Sequence, residues 1–164
     1  MTDFLMLLRR DHHDLECGLD ELLEASTVVQ IRSTLDGVRL GLVAHAEAED
    51  IVLYGALVMA GSPALLDDLI GQARSAHLTQ EGALAALVSA TPGSQMWRDR
   101  SRRLRDLVHE HAAHEETKVL PAIRDHAPDV YATLAGSFAT ERLRQLAMLQ
   151  PSVPIVMSEL AQAG

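Results

Sequence analysis

The sequence predicts an all-α protein: an antiparallel up-down-up-down four-helix bundle with a short extra helix at its C-terminal end. Three observations carry that expectation. About half of the 164 residues are apolar but only 3% are aromatic, with Leu, Ala and Val dominant, which suits helix-on-helix packing better than a β-sandwich. Turn-forming residues divide the chain into four segments of roughly 25 to 32 residues. Within these segments apolar residues recur near helical period, as at Leu35, Val38, Leu42 and Val43 in the second.

The first segment runs to a weak break at Ser26-Thr27-Val28-Val29, where a capping residue precedes two β-branched residues without glycine or proline. The second ends at Gly61-Ser62-Pro63, read as a helix stop, an N-cap serine and a proline at the first helical position. Thr91-Pro92-Gly93-Ser94 separates the third from the fourth in the same way. Ala127-Pro128 opens a last, shorter segment over about 128–150, and Pro151 and Pro154 leave the tail poorly defined. Four long helices joined by short loops pack antiparallel. A chain of this length fits one domain with a substantial core, so a single domain is expected over 1–164, with the bundle over about 3–125.

The net charge of -9 argues against nucleic acid or anionic membrane as a partner, since both demand a surplus of Lys and Arg. The basic run Arg98 to Arg105 is balanced by acids elsewhere on its segment and reads as a solvated helix face. A single cysteine, Cys17, excludes an intramolecular disulfide, fits a reducing compartment, and is expected at a core or boundary position. The apolar stretch Phe4 to Leu8 is followed rather than preceded by arginines, so it resembles neither a secretory signal nor a membrane span. These features lead us to expect a soluble cytoplasmic protein, monomeric or a weak homodimer.

Residues 109–116 read H-E-H-A-A-H-E-E. The zinc-protease pattern H-E-x-x-H would need a histidine where Ala113 stands, and no glutamate in the chain has the histidine at plus three of a ferritin-type site. What recurs is glutamate at plus four from histidine: His12/Glu16, His45/Glu49, His77/Glu81 and His111/Glu115, one pair per segment. Residues i and i+4 share a helix face about 6 Å apart along the axis, so both side chains can reach one site. In an antiparallel pair, residues equidistant from the turn lie at one height. The midpoint of His45 and His77 is Gly61, that of His77 and His111 is Ser94, and that of His12 and His45 falls between Val28 and Val29. All four histidines therefore occupy one level.

Four imidazoles at one height inside a bundle are costly to bury without partners, and a metal is the economical partner. Imidazole and carboxylate without thiolate disfavour a structural zinc site. More than four nitrogen and oxygen ligands suit two six-coordinate iron ions bridged by carboxylates.

The string His12, His45-x-x-x-Glu49, His77, His111-x-x-x-Glu115 resembles the hemerythrin-like (HHE cation-binding) domain, in its bacterial stand-alone form. Local matches are Asp11-His12, the stretch Glu49 to Tyr54, and the stretch Glu115 to Pro121, and the resemblance covers about residues 3–125. It implies a non-haem, oxo- or hydroxo-bridged pair of iron ions. His12 and His45 would bind one and His77 and His111 the other, with Glu49 and Glu115 bridging. Glu81 stands where the family's oxygen carriers have a further histidine, which turns the expectation away from simple oxygen carriage. Glu115 is the expected bridge although carriers use an aspartate at plus five, where this chain has Glu116, assigned to an outer shell. Glu81 and, less so, Glu16 are candidate additional ligands.

Around these residues, His114 at plus three from His111 is a candidate outer hydrogen-bond partner. Tyr54, nine residues past His45, should lie half a turn from the ligand face and touch the site only through helix distortion. His13 sits about 100° from His12 and reads as a surface residue, though a one-residue register shift would exchange them. His109 should face away. His126 should end the fourth helix, where a cation favours the dipole. Trp97 and the six methionines read as core fillers. The function expected is reaction with a small oxidant, above all hydrogen peroxide decomposition, or related O2 or NO chemistry. The alternatives are a module that binds, senses or stores O2, NO or iron without turnover, and a metal-free interaction bundle with structural histidines.

Overall fold

The structure is a computed structural model that describes residues 3–61 and 64–150. Ser62, Pro63, Pro151 and Pro154, named above as helix punctuation, lie outside the described residues. Among the described residues there is no strand; the protein is all-α. Its helices are α1 (Phe4–Glu24), α2 (Val28–Ala48), α3 (Gly55–Ala60), α4 (Ala64–Val88), α5 (Gln95–His114), α6 (Leu120–His126) and α7 (Pro128–Leu149). A π-helical segment, Glu49–Tyr54, joins α2 to α3, and a second, Glu115–Val119, joins α5 to α6.

Local chemistry sets the ends. Thr27 opens α2 with a capping box: its hydroxyl accepts from the Gln30 N–H at 3.2 Å, while the Gln30 side chain accepts from the Thr27 N–H at 3.1 Å. Gly61 stops α3 in the left-handed conformation, φ 69°, as a C-terminal glycine should. Ser94 caps α5 by accepting from the Trp97 N–H at 3.1 Å. Pro92 lies in the turn before it instead of at the first helical position. Pro128 starts α7, where its missing N–H costs nothing. α7, Pro128–Leu149, has the extent expected for the extra C-terminal helix, and with 22 residues it is as long as α1.

α1 packs on α2 and α5, α4 packs on α5 and more sparsely on α2, and α7 lies against α2 and α1. Small residues let α1 and α2 approach: a Cβ on Gly41 would stand 3.1 Å from Leu15, and one on Gly18 3.3 Å from Val38. Arg9 pairs with Glu116, His109 with Glu16 and Arg105 with Asp20 between α1 and the α5 side. Such exposed pairs each contribute about 1 kcal/mol or less. Arg100 donates from α5 to the Ala86 carbonyl at the end of α4.

The apolar interior falls into two clusters. One gathers Phe4, Leu8, Leu53, Leu57, Val119 and the α7 residues Leu134 and Phe138. The other gathers Leu15, Leu19, Leu42, Leu87, Trp97 and Leu104. On α1 the boundary between them is Asp11 and His12, both buried. Trp97 is a core residue, but Met6, Met59, Met96 and Met148 are exposed, so no methionine among the described residues fills the core. Cys17 is also exposed, with Sγ 3.6 Å from His13 Nε2. No helix of the described residues is long and apolar enough to cross a membrane.

Candidate metal centre

Between the two apolar clusters lies a layer of ionisable side chains. His12 comes from α1, His45 from α2, His77 from α4 and His111 from α5, with Glu49 and Glu115 opening the two π segments. All six are at most 7% exposed. They form two overlapping donor groups, His12, His45, Glu49 and Glu115, and Glu49, His77, His111 and Glu115, each with donor atoms mutually within 4.8 Å. Both carboxylates belong to both groups.

The Nε2 atoms turn inward. His77 Nε2 stands 2.9 Å from His111 Nε2 and 3.0 Å from Glu49 Oε2. His45 Nε2 is 3.5 Å from the same oxygen. Glu115 Oε2 lies 3.4 Å from His12 Nε2 and 3.5 Å from His111 Nε2. Donors at right angles around a metal with bonds of about 2.1 Å stand about 3 Å apart, so this spacing fits shared coordination. The bonding state of the layer points the same way. His12 Nε2, His45 Nε2, both Glu49 oxygens and Glu115 Oε2 are buried without a hydrogen-bond partner. Orphaned buried atoms are rare and need an occupant. The donor set, imidazole plus carboxylate without thiolate, fits a first-row divalent cation of the iron type.

Behind three of the imidazoles sits a carboxylate next to an arginine. His45 Nδ1 donates to Asp11 Oδ2 at 2.7 Å, and Arg142 of α7 donates to the same oxygen at 2.6 Å. His12 Nδ1 donates to Glu116 Oε1 at 2.9 Å, with Arg9 on the other oxygen at 2.9 Å. His77 Nδ1 faces Asp50 Oδ1 at 3.5 Å, which Arg74 approaches at 3.7 Å. Such partners fix tautomer and ring orientation, leaving Nε2 for a metal. His111 Nδ1 has no partner.

Charges within the layer shift its proton affinities. Burial presses His12 down, but the nearby Glu115, Glu49 and Glu116 carboxylates prevail and raise it to about 9. Burial likewise opposes His77, and Asp50 and Glu49 raise it to about 10. Burial pushes Glu49 upward, but the surrounding His45, His111 and His77 hold it well below the usual carboxylate range. Asp11 is lowered because His45 and Arg142 outweigh its burial. In the metal-free state, His12 and His77 therefore keep their protons at neutral pH, opposite Glu115 and Glu49.

Tyr54 reaches this layer. Its hydroxyl donates to Glu115 Oε1 at 2.7 Å, and burial plus the two glutamates push its phenol pKa well above normal. With 3.6 residues per turn, Tyr54 would point away from His45. The π segment carries an extra residue per turn, so Glu49 and Tyr54, five apart, come onto one face.

The profile of the family described as Hemerythrin HHE cation binding domain matches residues 3–123. This chain belongs to the hemerythrin HHE family. A DNA nickase of Nostoc sp. (strain PCC 7120 / SAG 25.82 / UTEX 2576) is 26% identical over 125 residues, 73% of this chain. The match covers 33% of the nickase, so the hemerythrin chain spans about a third of that relative. No solved structure matches. Within this hemerythrin fold, Glu81 is exposed and Glu16 accepts from His109 at 2.8 Å, and neither stands in a donor group. The α4 residue buried one turn past His77 is Gln80, at plus three rather than plus four. His114 is half-buried and makes no hydrogen bond or ion pair among the described residues, whereas Glu116 does back His12. His13 is exposed, as is His109. Arg142, beyond the family match, could not be tied to the site from spacing, because α7 lies outside the four-histidine symmetry.

Proposed function

We propose that this chain is a non-haem di-iron protein that reacts with a small oxidant, above all by decomposing hydrogen peroxide. His12 and His45 would hold one iron and His77 and His111 the other, with Glu49 and Glu115 shared. The observation that carries the reading is the buried layer in which unpartnered His and Glu donors converge in two four-member groups. Four protein donors per position are fewer than the six that iron takes, which leaves room for an outside ligand. The reading includes the up-down-up-down order, supported by the α1–α2 contacts Asp11–His45, Leu15–Gly41 and Gly18–Val38 and by the pairs Arg9–Glu116 and Glu16–His109 between α1 and the α5 side, whose numbers run in opposite directions. It also takes the chain to be a cytoplasmic monomer or weak homodimer.

The metals supply electron exchange when bound: one peroxide is reduced by two electrons to two waters while a second is oxidised to dioxygen, its two protons passing to the first. The protein's part is to exclude bulk water with two apolar clusters and to orient the imidazoles through Asp11, Glu116 and Asp50. Tyr54 keeps its proton and holds it on Glu115 Oε1, which fixes the direction of that carboxylate. The test is an iron count with oxygen evolution from peroxide. About two irons per chain, and evolution lost in His111→Ala and Glu115→Ala, are expected; no evolution above those controls refutes turnover.

A second reading, binding or sensing of iron, O2 or NO without turnover, is favoured by the raised proton affinity of His12 and His77, since protons there compete with a metal and make its occupancy reversible. It predicts iron uptake without oxygen evolution. We do not extend DNA nicking to this chain: a net charge of -9 is poorly suited to a phosphate backbone.

A further inference from the structure

The two sides of the donor layer differ in cover. On the His12 and His45 side, α7 lies over the bundle: Phe138 packs its ring 6.0 Å from the His45 ring, and Arg142 closes on Asp11. On the His77 side, the surface between α2 and α4 opens into a groove of about 290 Å³ that reaches His77 itself. A liquid water occupies about 30 Å³, so the space admits a two-to-four-atom molecule with its solvent.

Gln80 lines this groove beside His77, three residues further along α4 and so on the same helix face. It is 2% exposed, and its Nε2 has no hydrogen-bond partner. A buried amide N–H is retained at a cost unless something accepts from it. The groove that Gln80 lines is a route by which an acceptor can reach it. The outer wall is acidic: Glu47 and Glu81 are exposed, and Asp50 is half-buried with the nearby Arg74 as its counter-charge. That field repels anions and leaves neutral molecules unaffected.

We infer that the α2/α4 groove is where a small neutral molecule carrying an oxygen acceptor, such as hydrogen peroxide, dioxygen or nitric oxide, docks against the His77 side of the donor layer, with the Gln80 amide N–H donating to it. The inference rests on the metal-binding reading above and deepens it. Gln80 becomes a ligand-positioning residue, Ala46 part of the wall of the passage, and the acidic residues a filter against anions.

The experiment follows nitric oxide and azide binding to the iron-loaded full chain by stopped-flow absorbance, with iron content measured for each variant. Ala46→Trp, which narrows the groove, should slow nitric oxide association about tenfold or more. Gln80→Leu should speed nitric oxide dissociation about tenfold, the effect of one lost hydrogen bond, and leave association within about twofold. Glu47→Gln with Glu81→Gln should raise azide association several-fold without changing nitric oxide association. Nitric oxide rates within about twofold of the unsubstituted protein in both Ala46→Trp and Gln80→Leu, at full iron content, would overturn the groove while leaving the metal site standing. If Ala46→Trp fails to fold, the Gln80→Leu dissociation rate alone decides. Failure of the unsubstituted chain to take up iron overturns both readings, and the iron count separates that result from the first.

Discussion

Metal uptake should expel protons in a number the structure specifies. In the metal-free protein, the His12 and His77 pKa values stand at about 9 and about 10. At pH 7.5 these imply about 97% and above 99% protonation, where an unperturbed histidine near 6.5 would be about 9% protonated. Each ring keeps its Nδ1 proton facing Glu116 or Asp50, so the proton that must leave is the one on Nε2, facing Glu115 or Glu49. Binding at both positions should therefore release about two protons from these residues, against about 0.2 for two ordinary histidines. The corollary is that overall affinity for the metal pair rises about a hundredfold per pH unit between 7 and 8.5. Anaerobic ferrous iron titration by calorimetry at pH 7.5, repeated in buffers of different ionisation enthalpy, yields the proton count as a slope. A slope below about half a proton would refute both the protonated metal-free layer and ligation through Nε2.

Other perturbations probe the same layer. Tyr54→Phe leaves Glu115 Oε1 without its donor and should cost about 1–3 kcal/mol, seen as a fall of several degrees in the melting temperature of the metal-free protein; an unchanged melting temperature would count against the bond. Arg142→Ala should weaken metal affinity about 10- to 100-fold by loosening Asp11 behind His45, with Arg142→Lys recovering part, and equal affinity in all three proteins would separate α7 from the site. The metal-free protein should also lose stability at high pH. His12 and His77 are raised, so their contribution is complete below about 6.5 and disappears as pH climbs through about 9 and 10. Glu49 and Asp11 are depressed, so theirs is present above the ordinary carboxylate range and disappears on acidification. Melting temperatures across pH 4 to 10.5 should trace a plateau near neutrality with a fall at each end, and a rise above pH 9 would contradict the ion pairing.

The histidine level was readable because it depends on two things written plainly in the chain, the turn residues and the distances from them. Gly61 and Ser94 punctuate as expected, and His12, His45, His77 and His111 meet in one buried layer. Tyr54 was misplaced because a helix of uniform pitch was assumed; the π segment starting at Glu49 changes the phase, and nothing in Glu49 to Tyr54 announces a wider turn. Glu81 was attractive for the same reason Glu49 and Glu115 were, an offset of four, but both of those carboxylates sit at the start of π segments while α4 has none there. On a regular helix the inward residue is Gln80. Asp11 was noticed only as a neighbour of His12, and its partnership with Arg142 bridges 131 positions, a distance over which spacing carries no information.

The donor layer interrupts the apolar interior, with Leu8 on one side and Leu15 on the other along α1, and Val119 and Leu104 divided in the same way along the α5 side. Through this level, then, the two ends of the bundle are joined by imidazoles and carboxylates more than by interlocked hydrocarbon. Whatever fills it, protons or metal, acts as the clasp between two half-bundles. Strengthening or opening that clasp should change how far the halves yield to heat or denaturant as one body or in sequence.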